Sequence, residues 1–206
     1  SRNQRHISLA IAYDVWSYYY ATGDRELMQQ YGLEMLVEIC RLWVSKAQYE
    51  KDGRYHITGV MGPDEFHEKY PGAAEGGFRD NAYTNVMTAW ILHKTIETWQ
   101  HEEPDVRDRL ADRIGFDAQR EIERWEQVIG GLAVPIGDDG IISQFEGFRD
   151  LREIDWAAYR RRYDNVRRMD RILKAEGDSP DRYQVAKQAD ALMLFYLLSP
   201  GQVRHI

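Results

Sequence analysis

The segment from Ile7 to Leu42, ISLAIAYDVWSYYYATGDRELMQQYGLEMLVEICRL, predicts that the fold begins with a pair of helices. Apolar side chains recur in each half of the segment at the three- and four-residue spacing of one helix face. Gly23 is typical of a left-handed C-cap, and Asp24 is typical of the next N-cap, so the two helices form an αα-hairpin. The predicted stripes are Ile7, Ile11, Val15 and Tyr18, then Met28, Tyr31, Met35, Ile39 and Leu42.

Further helices are predicted along the chain, separated by long Gly-rich loops. Asn81 is expected to cap a helix over 82–99, which carries Val86, Ala89, Trp90, His93 and Ile96 on one side. Two more helices are expected over 105–129 and 156–175, and Ser179-Pro180 should open a last helix that ends at Leu198. The run Gly137-Asp138-Asp139-Gly140 predicts a small β-hairpin between 134 and 142.

The prediction for the fold class is all-α, with long loops and a small β-hairpin. Helix pairs joined by long loops indicate part of a ring of paired helices. Such a ring needs about twice the roughly six helices predicted here, so residues 1–206 are expected to be a fragment of a single catalytic domain.

Composition excludes several classes of partner. Charged residues make up 30% of the chain and the net charge is −7, whereas a nucleic-acid partner requires a basic face. No apolar run approaches the roughly 20 residues of a membrane span, and no apolar region of a signal peptide follows Ser1-Arg2. The single cysteine, Cys40, lies in an apolar helical pattern and is expected to be a buried thiol in a reducing, cytoplasmic setting.

Residues 51–80 carry the run with the most chemistry, Gly59-Val60-Met61-Gly62-Pro63-Asp64-Glu65-Phe66-His67-Glu68. Long irregular segments inside a compact domain are usually functional, and glycosidic bond cleavage needs a protonated carboxyl beside the leaving oxygen. From spacing alone, however, a Pro-Asp-Glu turn is more often a plain helix start with helpful negative charge. His56, His67 and Glu68 match no zinc-ligand spacing, so no metal is expected.

A second polar run, Lys187-Gln188-Ala189-Asp190, is expected near the start of the last helix. Lys and Gln side chains are natural hydrogen-bond donors to sugar hydroxyls. The alternative is an internal ion pair between Lys187 and Asp190, three residues apart on one helix face.

These motifs together resemble glycoside hydrolase family 65, which contains inverting maltose, trehalose and kojibiose phosphorylases and some hydrolases. The resemblance spans nearly the whole chain, and either motif alone would be a weak signal. It is carried by Arg5-His6-Ile7-Ser8 through Ala12-Tyr13, Val60 through Glu68, Asp80 through Met87, Gln144 through Phe148, and Lys187 through Asp190.

The resemblance implies a fold and a set of roles. The fold would be part of an (α/α)6 barrel, and Glu65 would be the general acid that protonates the glycosidic oxygen. Lys187 and Gln188 would hold the transferred glucose, while Asn81, His67 and Asp64 would line the same site. Inorganic phosphate would be the co-substrate, with no cofactor, and its binding loop would lie beyond Ile206.

Three functions remain open from the sequence. The first is phosphorolysis of an α-glucosyl disaccharide by a larger enzyme that contains this chain. The second is inverting hydrolysis, which requires a base carboxylate such as Glu146. The third is a non-catalytic helical module, whose exposed apolar helix faces would favour a homo-oligomer.

Overall fold

The computed structural model describes residues 3–199 and residue 201, and most of them are helical. The resemblance to a partial α/α barrel is borne out by the helix pairs and by the long segments between them. The α-helices are α1 (Ile7–Thr22), α2 (Arg25–Leu27), α3 (Leu33–Lys46), α4 (Ala82–His101), α5 (Pro104–Ile114), α6 (Ala118–Gly131), α7 (Trp156–Arg162), α8 (Met169–Ala175) and α9 (Asp190–Leu197).

Helix α4 lies at the centre of the main core and packs against α1, α3, α6 and α9. It begins where the sequence predicts, because the Asn81 side chain accepts a hydrogen bond from the Thr84 N–H. Its side chains are buried around most of its circumference, which is expected of a helix surrounded by other helices. His93, by contrast, is exposed although the sequence placed it on the apolar side.

The predicted αα-hairpin is present, with its Gly23 cap and Asp24 cap, but its apolar stripes are only partly correct: Met28 is buried and Val15 and Ile39 pack against the core. A π-helical turn, Met28–Gly32, joins α2 to α3 and shifts the face that α3 presents to the core. Both helices carry apolar residues on two faces, and in this chain only one face of each packs against α4. The exposed apolar residues include Ile7, Ile11, Tyr18, Tyr31 and Met35; the buried ones are Leu9, Ala12, Leu33, Leu36, Val37, Cys40 and Trp43.

The two-stranded sheet is not predicted from the sequence, and its second strand lies in the segment 51–80 that was expected to be irregular. Strand β1 (Ala47–Tyr49) pairs antiparallel with β2 (Tyr55–Ile57), with Gln48 opposite His56. The hairpin predicted over 134–142 is present only as one antiparallel bridge, between Ile136 and Ile142.

Three long helix predictions were wrong because local caps and loops interrupt them. Gly115 adopts a left-handed conformation that ends α5, and Asp117 caps a separate helix, α6. The segment 156–175 is likewise divided into α7 and α8. Ser179 caps a single 3₁₀ turn, Pro180–Arg182, so the last helix begins only at Asp190.

The chain from 183 to 189 is irregular because other segments take its backbone hydrogen bonds. The Gln184 N–H donates to the Arg152 carbonyl at 2.8 Å, and the Lys187 N–H donates to Asp64 Oδ1 at 2.8 Å. These bonds replace the ladder that a helix would form.

Within residues 3–199 and 201, no helix is both long and apolar enough to cross a membrane.

A buried histidine in β2 binds the residue that precedes the cap of α4. His56 lies between two carboxylates, with Nδ1 2.6 Å from Asp80 Oδ2 and Nε2 2.9 Å from Asp52 Oδ2. Asp80 Oδ1 also accepts the Ile57 N–H at 3.1 Å. Burial by itself would lower the pKa of His56, but the bonds to Asp80 and Asp52 outweigh burial and raise that pKa.

The contacts of His56 with Asp80 and Asp52 make a testable contribution to the free energy of unfolding. Because its pKa is raised on folding, protonated His56 stabilises the fold fully below its unfolded pKa of about 6.5, and this contribution is lost as pH rises through the folded value. We expect the free energy of unfolding to decline over that interval and His56→Gln to lack this part of the decline. Denaturant unfolding at a series of pH values measures it, with exposed His93→Gln as the control. An unchanged pH dependence in His56→Gln would contradict the assignment.

A second prediction distinguishes the observed core face of α3 from the one expected from sequence. Leu36 is fully buried, whereas Met35 is 39% exposed. Leu36→Ala should lower the free energy of unfolding by about 2–5 kcal/mol, since it leaves a cavity. Met35→Ala should cost less than about 1 kcal/mol. Urea denaturation of this chain compares the two, and the reverse order would show that the opposite face of α3 packs inward.

Candidate active site

The turn that carries Glu65 is packed so closely that its first residue must be glycine. A Cβ atom on Gly62 would lie 2.1 Å from Asp190 Oδ2 and 2.4 Å from Asn81 Nδ2. The start of α4, the start of α9 and the Gly62-Pro63 turn therefore meet at one point, although they are far apart in the sequence.

Glu65 lies on the surface of this turn and contacts the second polar run. Its side chain is 55% exposed; Oε2 pairs with the Lys187 ammonium, and Oε1 accepts a hydrogen bond from Gln188 Nε2 at 3.0 Å. The Gln188 side chain also accepts the Glu65 N–H at 3.2 Å. The structure thus brings the predicted acid and both predicted sugar-binding residues together, and Lys187 pairs with Glu65 instead of Asp190.

These contacts set the ionisation of the carboxyl. The Lys187 ammonium and the Gln188 amide lower the pKa of Glu65, and Arg168 adds a smaller effect in the same direction. With Lys187 and Gln188 in this arrangement, Glu65 is held as a carboxylate.

Asp64 points the other way, into the protein, and is 2% exposed. Its Oδ1 accepts the N–H groups of Lys187 at 2.8 Å, Phe66 at 3.3 Å and Gln188 at 3.4 Å. Its Oδ2 accepts Gln144 Nε2 at 2.9 Å and faces His67 Nδ1 at 2.7 Å. Burial would raise the pKa of Asp64, but the hydrogen bonds from His67, Gln144 and the Lys187 backbone lower it.

His67 is also internal, at 1% exposure. Its Nε2 lies 3.0 Å from the Tyr183 carbonyl, which can only accept, so Nε2 carries a proton. The ring lies edge-on to Phe78, Phe145 and Phe148. Both ring nitrogens of His67 are therefore engaged by the protein.

Asn81 and Asp190 are buried beneath the Gly62-Pro63 turn. Asn81 Nδ2 donates to the Gln144 carbonyl and to Asp190 Oδ2, both at 3.2 Å, while its Oδ1 caps α4. Burial raises the pKa of Asp190 to about 7, and its Oδ1 has no hydrogen-bond partner in the part of the chain that the structure describes. Of the predicted site residues, Asp64, His67 and Asn81 thus lie below the surface on which Glu65, Lys187 and Gln188 meet.

One further cluster offers ligand atoms to a metal, but the protein already uses them. Atoms of His56, Asp80 and Glu146 lie within 4.8 Å of one another. Both nitrogens of His56 face carboxylates, and Glu146 binds the Arg79 guanidinium at 2.6 Å.

Gln144 was given no role from the sequence, and Asp190 only that of an ion-pair partner of Lys187, although both lie in motifs that carry the resemblance. Gln144 joins the loop after α6 to Asp64, and Asp190 joins α9 to Asn81. Polar residues within otherwise apolar or Gly-rich runs were the available signal, but their partners lie far away in the chain.

The chain is similar to proteins of one known family. Residues 1–204 match the protein family described as "Glycosyl hydrolase family 65 central catalytic domain". A Mycobacterium tuberculosis protein named "Uncharacterized glycosyl hydrolase" is 48% identical over 98% of this chain and 15% of its own length. The trehalose 6-phosphate phosphorylase of Lactococcus lactis is 46% identical over 98% of this chain and 25% of its own length.

Two kojibiose phosphorylase relatives extend the comparison. The enzyme of Halothermothrix orenii is 38% identical over 95% of this chain and 24% of its own length. A solved structure from the human microbiome, named "Putative kojibiose phosphorylase", superposes with a TM-score of 0.75 at 24% identity, covering 96% of this chain and 26% of that one. The chain thus spans a quarter or less of the length of the curated relatives described here. On the match over residues 1–204 and these identities, the chain belongs to glycosyl hydrolase family 65.

Proposed function

We propose that the whole protein containing this chain catalyses inverting phosphorolysis of an α-glucosyl disaccharide, releasing β-glucose 1-phosphate and a free sugar. Glu65 is the proton donor in this proposal, and Lys187 and Gln188 hold the glucosyl unit. The observation that carries it is the exposed Glu65 carboxyl held between the Lys187 and Gln188 side chains, 122 and 123 residues away.

The relatives support the class of reaction. Their names include phosphorylases of trehalose 6-phosphate, kojibiose, 3-O-alpha-D-glucosyl-L-rhamnose and 1,2-alpha-glucosylglycerol. These substrates share a glucosyl donor and differ in the acceptor. We therefore propose that this chain supplies groups for the glucosyl side, which the relatives have in common.

The chemistry requires one proton and one nucleophile. Glu65 gives its proton to the glycosidic oxygen as the bond from that oxygen to the anomeric carbon breaks. Phosphate attacks the same carbon from the opposite face, so an α-linkage yields a β-phosphate. Because phosphate is already an anion, no base carboxylate is needed to activate water, and no cofactor takes part.

Glu65 must be protonated to act, yet Lys187 and Gln188 lower its pKa when no sugar is present. Hydroxyl groups of a bound glucosyl unit would take over the hydrogen bonds of Lys187 and Gln188. Releasing Glu65 from those donors raises its pKa toward the ordinary range, so that binding the correct sugar favours the protonated acid.

The first test is Glu65→Gln in the full-length protein. It should reduce phosphorolysis by about 10²- to 10⁴-fold, because an amide cannot donate the catalytic proton. Release of glucose 1-phosphate from trehalose 6-phosphate, trehalose, kojibiose and maltose measures the activity. Glu68→Gln removes another exposed carboxylate from the same loop and should retain activity; equal losses in both variants would remove Glu65 from its role.

Omitting phosphate separates phosphorolysis from hydrolysis. We expect turnover by the wild-type protein to stop without phosphate and to return in proportion to added phosphate. Unchanged sugar cleavage without phosphate would instead establish hydrolysis. In that case, full hydrolysis by Glu146→Gln would eliminate Glu146 as the base.

A further inference from the structure

We propose that Asp64 is a positioning residue, whose buried carboxylate fixes the Lys187–Gln188 backbone against the turn that carries Glu65. This inference rests on the proposed function and deepens it. It assigns Asp64 a role beneath the sugar site, in place of the sugar contact expected from sequence.

Hydrogen bonds to Asp64 hold the Lys187–Gln188 segment in place. The chain here is neither helix nor strand, and the Lys187 N–H donates to Asp64 Oδ1 at 2.8 Å. The Gln188 N–H approaches the same oxygen at 3.4 Å, and the Phe66 N–H does so from the Glu65 side at 3.3 Å. One carboxylate oxygen thus joins the residues flanking the acid to the residues that face it.

The buried bonds to Asp64 hold this segment more strongly than the ion pair between Lys187 and Glu65 on the surface above them. The pair between Lys187 and Glu65 is largely exposed, and surface ion pairs contribute little to holding a loop. Hydrogen bonds from backbone N–H groups to a buried carboxylate are stronger, and losing the acceptor leaves donors unpaired. The surface arrangement of Glu65, Lys187 and Gln188 therefore depends on the buried Asp64 carboxylate.

The orientation of the Asp64 carboxylate is fixed by two side chains within the protein. Its other oxygen, Oδ2, is held by His67 Nδ1 at 2.7 Å and by Gln144 Nε2 at 2.9 Å. His67 is fixed in turn by the Tyr183 carbonyl and by the ring of Phe145. With Oδ2 occupied on both sides, Oδ1 remains aimed at the backbone of Lys187.

The charges around Asp64 and Glu65 determine in which direction the pKa of Glu65 changes when Asp64 is replaced. Glu65 faces Lys187 and Arg168, while Asp64 faces His67 and Asp190. Removing the negative charge of Asp64 would by itself lower the pKa of Glu65, since a neighbouring anion is lost. Letting Lys187 and Gln188 drift away would raise the pKa of Glu65. The two effects therefore have opposite directions.

The decisive variant is Asp64→Ala in the full-length protein. We expect kcat to fall about 100-fold, because a small displacement of the Glu65, Lys187 and Gln188 groups is costly. The alkaline limb of the kcat/KM profile, which reports the free enzyme's acid, should move to higher pH. The KM for phosphate should be unchanged.

Asp64→Asn is the rescue variant. Its amide oxygen can still accept the Lys187 N–H, and its NH2 group can donate to His67 Nδ1 and, once the Gln144 amide turns over, to the Gln144 side-chain oxygen. It should therefore recover most of the lost kcat and return the alkaline limb toward the wild-type position. If Asp64→Ala is insoluble, Asp64→Ser replaces it, because the shorter hydroxyl cannot reach the Lys187 N–H. The same loss of kcat and shift of the limb are expected.

The matched control is Asp80→Ala. Asp80 is as buried as Asp64, pairs with a histidine and accepts a backbone N–H, but its partners are His56, Ile57, Asn85 and Arg79. This variant should lose stability while leaving the alkaline limb where it is. A variant that only weakens the fold behaves in this way.

Three results would overturn the role of Asp64. They are an alkaline limb in Asp64→Ala that stays in place or moves to lower pH, an equal shift in Asp80→Ala, and no recovery in Asp64→Asn. These results leave the proposed function standing as long as Glu65→Gln is inactive. An active Glu65→Gln would instead refute the proposed function, whatever the Asp64 variants do.

Discussion

The hydrogen bonds of the buried Asp64 carboxylate are the constraint on which the candidate site depends. Asp64 adjoins Glu65 in the chain, yet its Oδ1 accepts N–H groups from Lys187 and Gln188, more than 120 residues later. A buried carboxylate needs several donors to remain ionised, and here it recruits them from three segments of the chain. Satisfying that one group brings the acid and its facing residues together.

A second buried Asp–His pair lies where the irregular segment 51–80 meets α4. Asp80, buried like Asp64, binds a histidine side chain and accepts a backbone N–H. These two Asp–His pairs explain how the segment 51–80, with little regular structure, is fixed in place. Asn81 lies between them in the fold, capping α4 while it binds Asp190.

Features set by neighbouring residues could be predicted from the sequence. Gly23 ends α1 and Asn81 begins α4 as expected, because each cap depends on a few adjacent groups. The core face of α3 could not be predicted, since both of its faces are apolar and the partner helix decides between them. The start of α9 was missed for a similar reason: Ser179-Pro180 has the local signature of a helix start, but long-range hydrogen bonds hold the following residues in an irregular path.

The site residues expected from the family resemblance fall into an exposed group and a buried group. Family resemblance pointed to Glu65, Lys187 and Gln188, and these three meet on the surface. It also suggested sugar contacts for Asp64, His67 and Asn81, whose polar atoms are bound within the protein. Burial cannot be inferred from the motif, because a polar loop residue next to an exposed acid has no local sign that it faces inward.

The roles of Glu65, Lys187 and Gln188 are tested most directly by a crystal structure of the full-length protein with glucose bound. We expect sugar hydroxyls on Lys187 Nζ and Gln188 Nε2, with the Glu65 carboxyl released toward the anomeric oxygen and the Asp64 hydrogen bonds unchanged. Glucose bound elsewhere, with the contacts of Glu65 to Lys187 and Gln188 intact, would contradict it.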